Sequence, residues 1–94
     1  MSKMAMMVLV ASSLNFVTQV AVAGPDAEAI FKKKCVFCHS YDKKKFGPSL
    51  KDMDKDEKVL TEVINKGRKA MPKWGKKLSA EEISALVALI KSKQ

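Results

Sequence analysis

The chain has 94 residues, 18 Lys and Arg against 10 Asp and Glu for a formal charge of +8, and 47% hydrophobic residues. That length excludes a second domain and a large core, so a chain this small leans on a metal, a crosslink or a cofactor for stability. Its basic surface matches nucleic acid, an anionic membrane or an acidic protein, three classes that the next segment begins to separate.

Residues 1–23 read as a cleavable leader. Lys3 supplies a positive start, Met4 to Ala11 is apolar, and Ala21-Val22-Ala23 is an Ala-x-Ala cleavage site. Ser12, Ser13, Asn15, Thr18 and Gln19 make the stretch too polar for a spanning helix, which needs ~20 mainly apolar residues. Cleavage before Gly24 exports the chain, most simply to a bacterial periplasm, and no stable membrane insertion is expected afterwards. Nucleic acid then drops out as a partner. The mature domain is 24–94, and loss of Lys3 leaves 17 basic against 10 acidic side chains.

In that domain three stretches read as helices and none as a strand. Pro25 and Asp26 suit a first helical turn, and Ala27, Ile30 and Phe31 follow at helical spacing. The helix runs into Cys35-Val36-Phe37-Cys38-His39, a Cys-x-x-Cys-His signature of covalent haem attachment. Cys35 and Cys38 would each add across a haem vinyl group, and His39 would present an imidazole nitrogen to the iron from the proximal side. These are the only cysteines and the only histidine of the chain.

Three other readings compete. A Cys35–Cys38 disulfide closes a loop so short that it constrains little chain entropy. A thioredoxin-like dithiol expects a βαβ setting, and no strand–helix–strand pattern is present. A structural zinc site wants four ligands, usually from two separated pairs, and there is no second pair.

Segments 40–51 and 68–77 carry Gly, Pro and Lys and read as loops. Between them a second helix is expected to start near Asp54, where Asp-Lys-Asp-Glu resembles a capping arrangement. Val59, Leu60, Val63 and Ile64 would form its buried stripe, and Gly67 suits the position just past its end. The third helix opens on the capping box Ser79-Ala80-Glu81-Glu82, with Leu78 and Ile83 stapled across it. Ile83, Leu86, Val87 and Ile90 give it one apolar face, and Lys91 and Lys93 sit near its negative end.

A histidine-ligated haem leaves one axial position. With no second histidine, the mature chain offers only Met53 and Met71 as thioethers. Pro72 fixes its own φ and restricts Met71, so a stiff turn can present that sulfur. Met53 lies just ahead of the second helix and suits the commoner role of core filler. An open or water-bound iron is the remaining possibility.

The chain resembles the class I c-type cytochromes, small soluble monohaem proteins of bacterial periplasms and algal lumens. The resemblance rests on Cys35-Val36-Phe37-Cys38-His39, Gly47-Pro48-Ser49-Leu50, Ala70-Met71-Pro72-Lys73-Trp74 and Leu78-Ser79-Ala80-Glu81-Glu82-Ile83. It implies an all-α fold, three or more short helices around one covalently bound haem c, with the first and last helices crossing near it. It also implies that the Pro48 carbonyl accepts the imidazole N–H of His39, and that the Met71 loop closes the distal face. Trp74 stands where many relatives carry Phe, and a packing role beside Met71 is expected for it.

A His39–Met71 pair fills both axial positions, which disfavours catalysis at the iron and favours single-electron shuttling between redox partners. The expected function is that of a monomeric periplasmic carrier, not an enzyme. Its partners would be acidic redox proteins steered by Lys32–Lys34, Lys43–Lys45, Lys73, Lys76 and Lys77. The alternatives are an electron-relay subunit of a larger redox complex, or a haem enzyme or ligand sensor with an open iron.

Overall fold

The structure is a computed structural model that describes residues 24–94; the leader expected over 1–23 lies outside the described residues. All regular structure among the described residues is helical, as expected, apart from one isolated bridge between Arg68 and Met71. Asp26 caps α1 (Ala27–Ile30) by accepting from the Ala29 N–H at 3.1 Å. α1 then widens without a break into a π-helical turn over Phe31–Cys35, where the Val36 N–H reaches back five residues to the Phe31 carbonyl. Such single wide turns often mark functional segments, because each rotates the residues after it relative to those before.

A short 3₁₀ turn, Leu50–Asp52, follows the first loop. α2 spans Glu57–Lys66 and begins about two residues later than the sequence suggested. Asp54 is the reason: its carboxylate accepts from the Asp56 N–H at 2.8 Å and is spent on its own turn. The cap falls to Asp56, which accepts from Lys58 and Val59. Gly67 ends the helix at φ 74°, and its N–H meets the Val63 carbonyl at 2.8 Å.

The expected four-residue stripe on α2 needs correction. Leu60 and Ile64 are buried, whereas Val59 is 38% exposed and Val63 half-buried. Each pair is spaced i,i+4, so the two pairs form adjacent rows about 100° apart. The protein covers only one of them.

α3 (Ala80–Ser92) carries the expected capping box: Ser79 Oγ accepts from the Glu82 N–H at 3.0 Å, and Glu82 Oε1 accepts from the Ser79 N–H at 2.8 Å. It is also the hub of the core. Ile83, Leu86, Val87, Leu89 and Ile90 pack with Phe31 from the first helical segment, Leu60 and Ile64 from α2, and Leu50 and Leu78 from the connections. Leu89 joins the four residues predicted from periodicity. The Gln94 amide donates to the Met53 and Asp54 carbonyls at 3.0 and 2.9 Å, fastening the end of α3 to the segment before α2. No helix among the described residues is long and apolar enough to cross a membrane.

Candidate functional site

The wide turn delivers Cys35 to the head of one more helical turn. The N–H groups of Cys38 and His39 both donate to the Cys35 carbonyl, at 3.1 and 3.0 Å. Residues at i, i+3 and i+4 of a helical turn lie on one face, so Cys35, Cys38 and His39 share a side. Both cysteines are free thiols, Cys35 half-buried and Cys38 exposed. Burial pushes the Cys35 thiol up, with the Lys34 charge opposing and Cys38 reinforcing the rise. A nucleophilic redox dithiol needs the reverse, a thiol lowered toward the thiolate, so this environment argues against the thioredoxin-like reading.

His39 is buried to 9% exposure, and its Nδ1 lies 2.8 Å from the Pro48 carbonyl oxygen. A carbonyl only accepts, so Nδ1 carries the proton and Nε2 keeps its lone pair. Among the described residues nothing hydrogen-bonds to Nε2. This is the arrangement of a ligating imidazole, with its far nitrogen anchored and its near nitrogen free to bind a metal.

Gly47 completes the mount. A Cβ there would collide with the imidazole Cε1 and lie 2.7 Å from Nδ1, so the ring rests flat against bare backbone. The Gly47 N–H donates to the Cys38 carbonyl at 2.8 Å, locking this loop onto the motif. The Gly-Pro pair reads as a turn from sequence alone, and its contact with the ring emerges only in the fold.

Met71 sits half-buried against the edge of the core on the connection between α2 and α3. Arg68 and Met71 exchange backbone hydrogen bonds at 2.9 and 3.3 Å, closing a two-residue turn with Lys69 at φ 54°. Sequence reasoning anticipated a stiff turn from Pro72, but not this pairing before it. Gly67 is pressed against the same turn, where a Cβ would lie 2.6 Å from the Met71 carbonyl oxygen. Met53 is also half-buried at the core edge, but its segment is tied to the end of α3 by Gln94. Trp74, half-buried, lies between the ammonium groups of Lys34 and Lys77, 5.7 and 5.3 Å from the ring centre. It therefore links the segment entering Cys35 to the segment leaving Met71.

The site residues fall into two groups. His39, Gly47 and Pro48 form one mount, while Cys35, Met71 and Trp74 border the common core. Among the described residues, no three His, Cys, Asp or Glu side chains converge as a closed metal site. A depression of about 520 Å³ opens beside His39, lined by Phe31, Val36, Tyr41 and Lys43–Lys45 among others. It touches neither cysteine, nor Met71 or Trp74, so a group bound to both thiols would not lie there.

The donor set nonetheless fits haem c. Two free thiols share a face with an imidazole whose open nitrogen is the metal-binding one. Half-buried Met71 and Trp74, with the uncovered Val59 row of α2, supply apolar surface that the chain alone does not enclose.

A family model described as cytochrome c oxidase, cbb3-type, subunit III matches residues 23–90, from the start of the described fold into the last turns of α3. No curated protein and no solved structure matches the chain. With the attachment motif, the anchored imidazole and the all-α fold lying inside the matched span, the chain belongs to this family of c-type cytochrome domains.

Proposed function

We propose that the chain is a periplasmic carrier of single electrons, exported by cleavage before Gly24 and holding one haem c through Cys35 and Cys38. The observation that carries this reading is His39, with Nδ1 committed to Pro48 and Nε2 free, on the same face as two free thiols. When bound, haem c supplies the one-electron Fe(II)/Fe(III) couple. The protein's part is to hold and tune it. Cys35 and Cys38 fix the group along one edge, and His39 ligates it with an orientation set by Pro48 and Gly47.

Met71 caps the opposite axial position, presented by the Arg68–Met71 turn and Pro72, and its soft thioether favours the reduced state. Occupation of both positions keeps small molecules from the iron, which suits transfer over catalysis. Trp74 packs beside Met71. The lysine clusters steer acidic redox partners toward the exposed edge.

The test is a redox titration of the purified holoprotein followed by absorption spectra. It should return a single one-electron wave and a thioether-ligated spectrum, with haem retained through denaturing electrophoresis. Haem that leaves on acid–organic extraction defeats the thioether assignment, and a resting spectrum of open iron defeats the carrier assignment.

A second reading, a relay subunit of a larger redox complex, is favoured by one observation: the matching family is described as an oxidase subunit. Native size separates the two. A carrier elutes from gel filtration as a protein of about 10 kDa, and a subunit elutes with its complex.

A further inference from the structure

Two phenylalanine rings stand in water on the side of the attachment turn that faces away from its ligands. Phe37 is 80% exposed and Phe46 88%, with Val36 beside Phe37 at 42%. Rings of this size are ordinarily spent on core or interface area. The turn is helical at Val36 (φ −64°, ψ −16°), so successive side chains rotate by about 100°. Cys35, Cys38 and His39 share one face, and Phe37 points about 200° away from Cys35. A group bonded to both cysteines and to His39 therefore cannot cover Phe37.

Phe46 is brought to the same turn by two hydrogen bonds: its neighbour Gly47 donates to the Cys38 carbonyl, and Lys45 Nζ donates to the Val36 carbonyl, each at 2.8 Å. The patch is thus built into the fold. Around it lie Lys32–Lys34 and Lys43–Lys45, all exposed, with Asp42 the one carboxylate between Phe31 and Leu50. None of the six lysines is in an ion pair among the described residues.

We propose that Phe37, Phe46 and Val36 form the apolar centre of a docking surface for an acidic redox protein, with these lysines as its rim. The proposal rests on the carrier reading, which places the patch against the edge where electrons leave. A second copy of the chain is a poor occupant, because it would bring lysine rim against lysine rim. An anionic membrane matches the charge, but lipid over this edge would hold acceptors away from it. Interfaces in which rings fill a central pocket and charges form a rim divide their work: the rings set residence time and the rim sets the encounter rate.

The experiment compares the parent holoprotein with a Phe37→Ser/Phe46→Ser variant and a Lys43/Lys44/Lys45→Gln variant. The probes are an acidic cupredoxin and phosphatidylcholine vesicles containing phosphatidylserine, with surface-plasmon kinetics and stopped-flow electron transfer as readouts. Because both rings are exposed, the Phe variant should keep the parent's spectrum and melting temperature. Its association with the cupredoxin at low salt should stay within about 2-fold of the parent, while dissociation accelerates about 10-fold or more. The Lys variant should show the reverse.

Equal dissociation rates for the parent and the Phe variant would overturn the proposal. So would a parent that fails to bind the cupredoxin at low salt, or rings that matter for the vesicles and not for the cupredoxin. Ring-dependent binding by a protein that transfers no electron would support the docking surface and overturn the carrier reading.

Discussion

At the scale of single residues, the histidine mount yields the sharpest expectations. Gly47→Ala places a methyl group against the imidazole and must displace it from Pro48. Overpacking of this kind costs about 1–3 kcal/mol. Loss of the N–H···O=C bond also leaves the ligand less electron-rich, so the potential should rise. Thermal melts and a redox titration of the variant check the two effects separately. Met71→Ala should admit cyanide and lower the potential by on the order of 0.1 V or more, within the ~0.8 V range that axial ligation spans. Met53→Leu should do neither. A cyanide titration with the potential measured alongside decides between the two methionines.

At the scale of elements, α2 and α3 show how spacing and burial part company. Both rows of α2 are apolar and both obey helical periodicity, yet only Leu60 and Ile64 meet α3. Leu60→Ala should therefore cost ~2–5 kcal/mol, and Val59→Ala should stay within ~1 kcal/mol in the haem-free chain if that chain is folded enough to melt. Denaturant unfolding of the two variants is the measurement. For α3 the capping box was legible because its chemistry is local: two side chains and two N–H groups within four residues. Ser79→Ala should cost about 1 kcal/mol, read as a lower unfolding midpoint with an unchanged slope. The delayed start of α2 shows the limit of such reading, since Asp54 and Asp56 are both competent caps and only the turn geometry chooses between them.

At the scale of the whole molecule, the core is thin. α1 is a single turn, and the buried cluster draws half its members from α3. A domain of this size with an uncovered apolar row should depend on its cofactor, so chain expressed without haem attachment should show little helical circular dichroism and no cooperative melt. Charge acts at the same scale. The bimolecular electron-transfer rate with an acidic partner should fall as salt shortens the Debye length to ~10 Å at 0.1 M, and the slope should flatten in the Lys43/Lys44/Lys45→Gln variant.

Much of this protein was determined by local sequence. Cys35, Cys38 and His39 announce their chemistry through spacing, Ser79 to Glu82 announce a cap, and the periodicity of Ile83 to Ile90 announces a buried face, because each interaction spans no more than two helical turns. The tertiary structure decided what depends on distant segments meeting. It placed Gly47 beneath the imidazole, paired Arg68 with Met71, set Trp74 between Lys34 and Lys77, and left Val59 and the rings of Phe37 and Phe46 uncovered. Hydrophobicity says that a side chain gains by leaving water; only the packing of other elements against it decides whether it does.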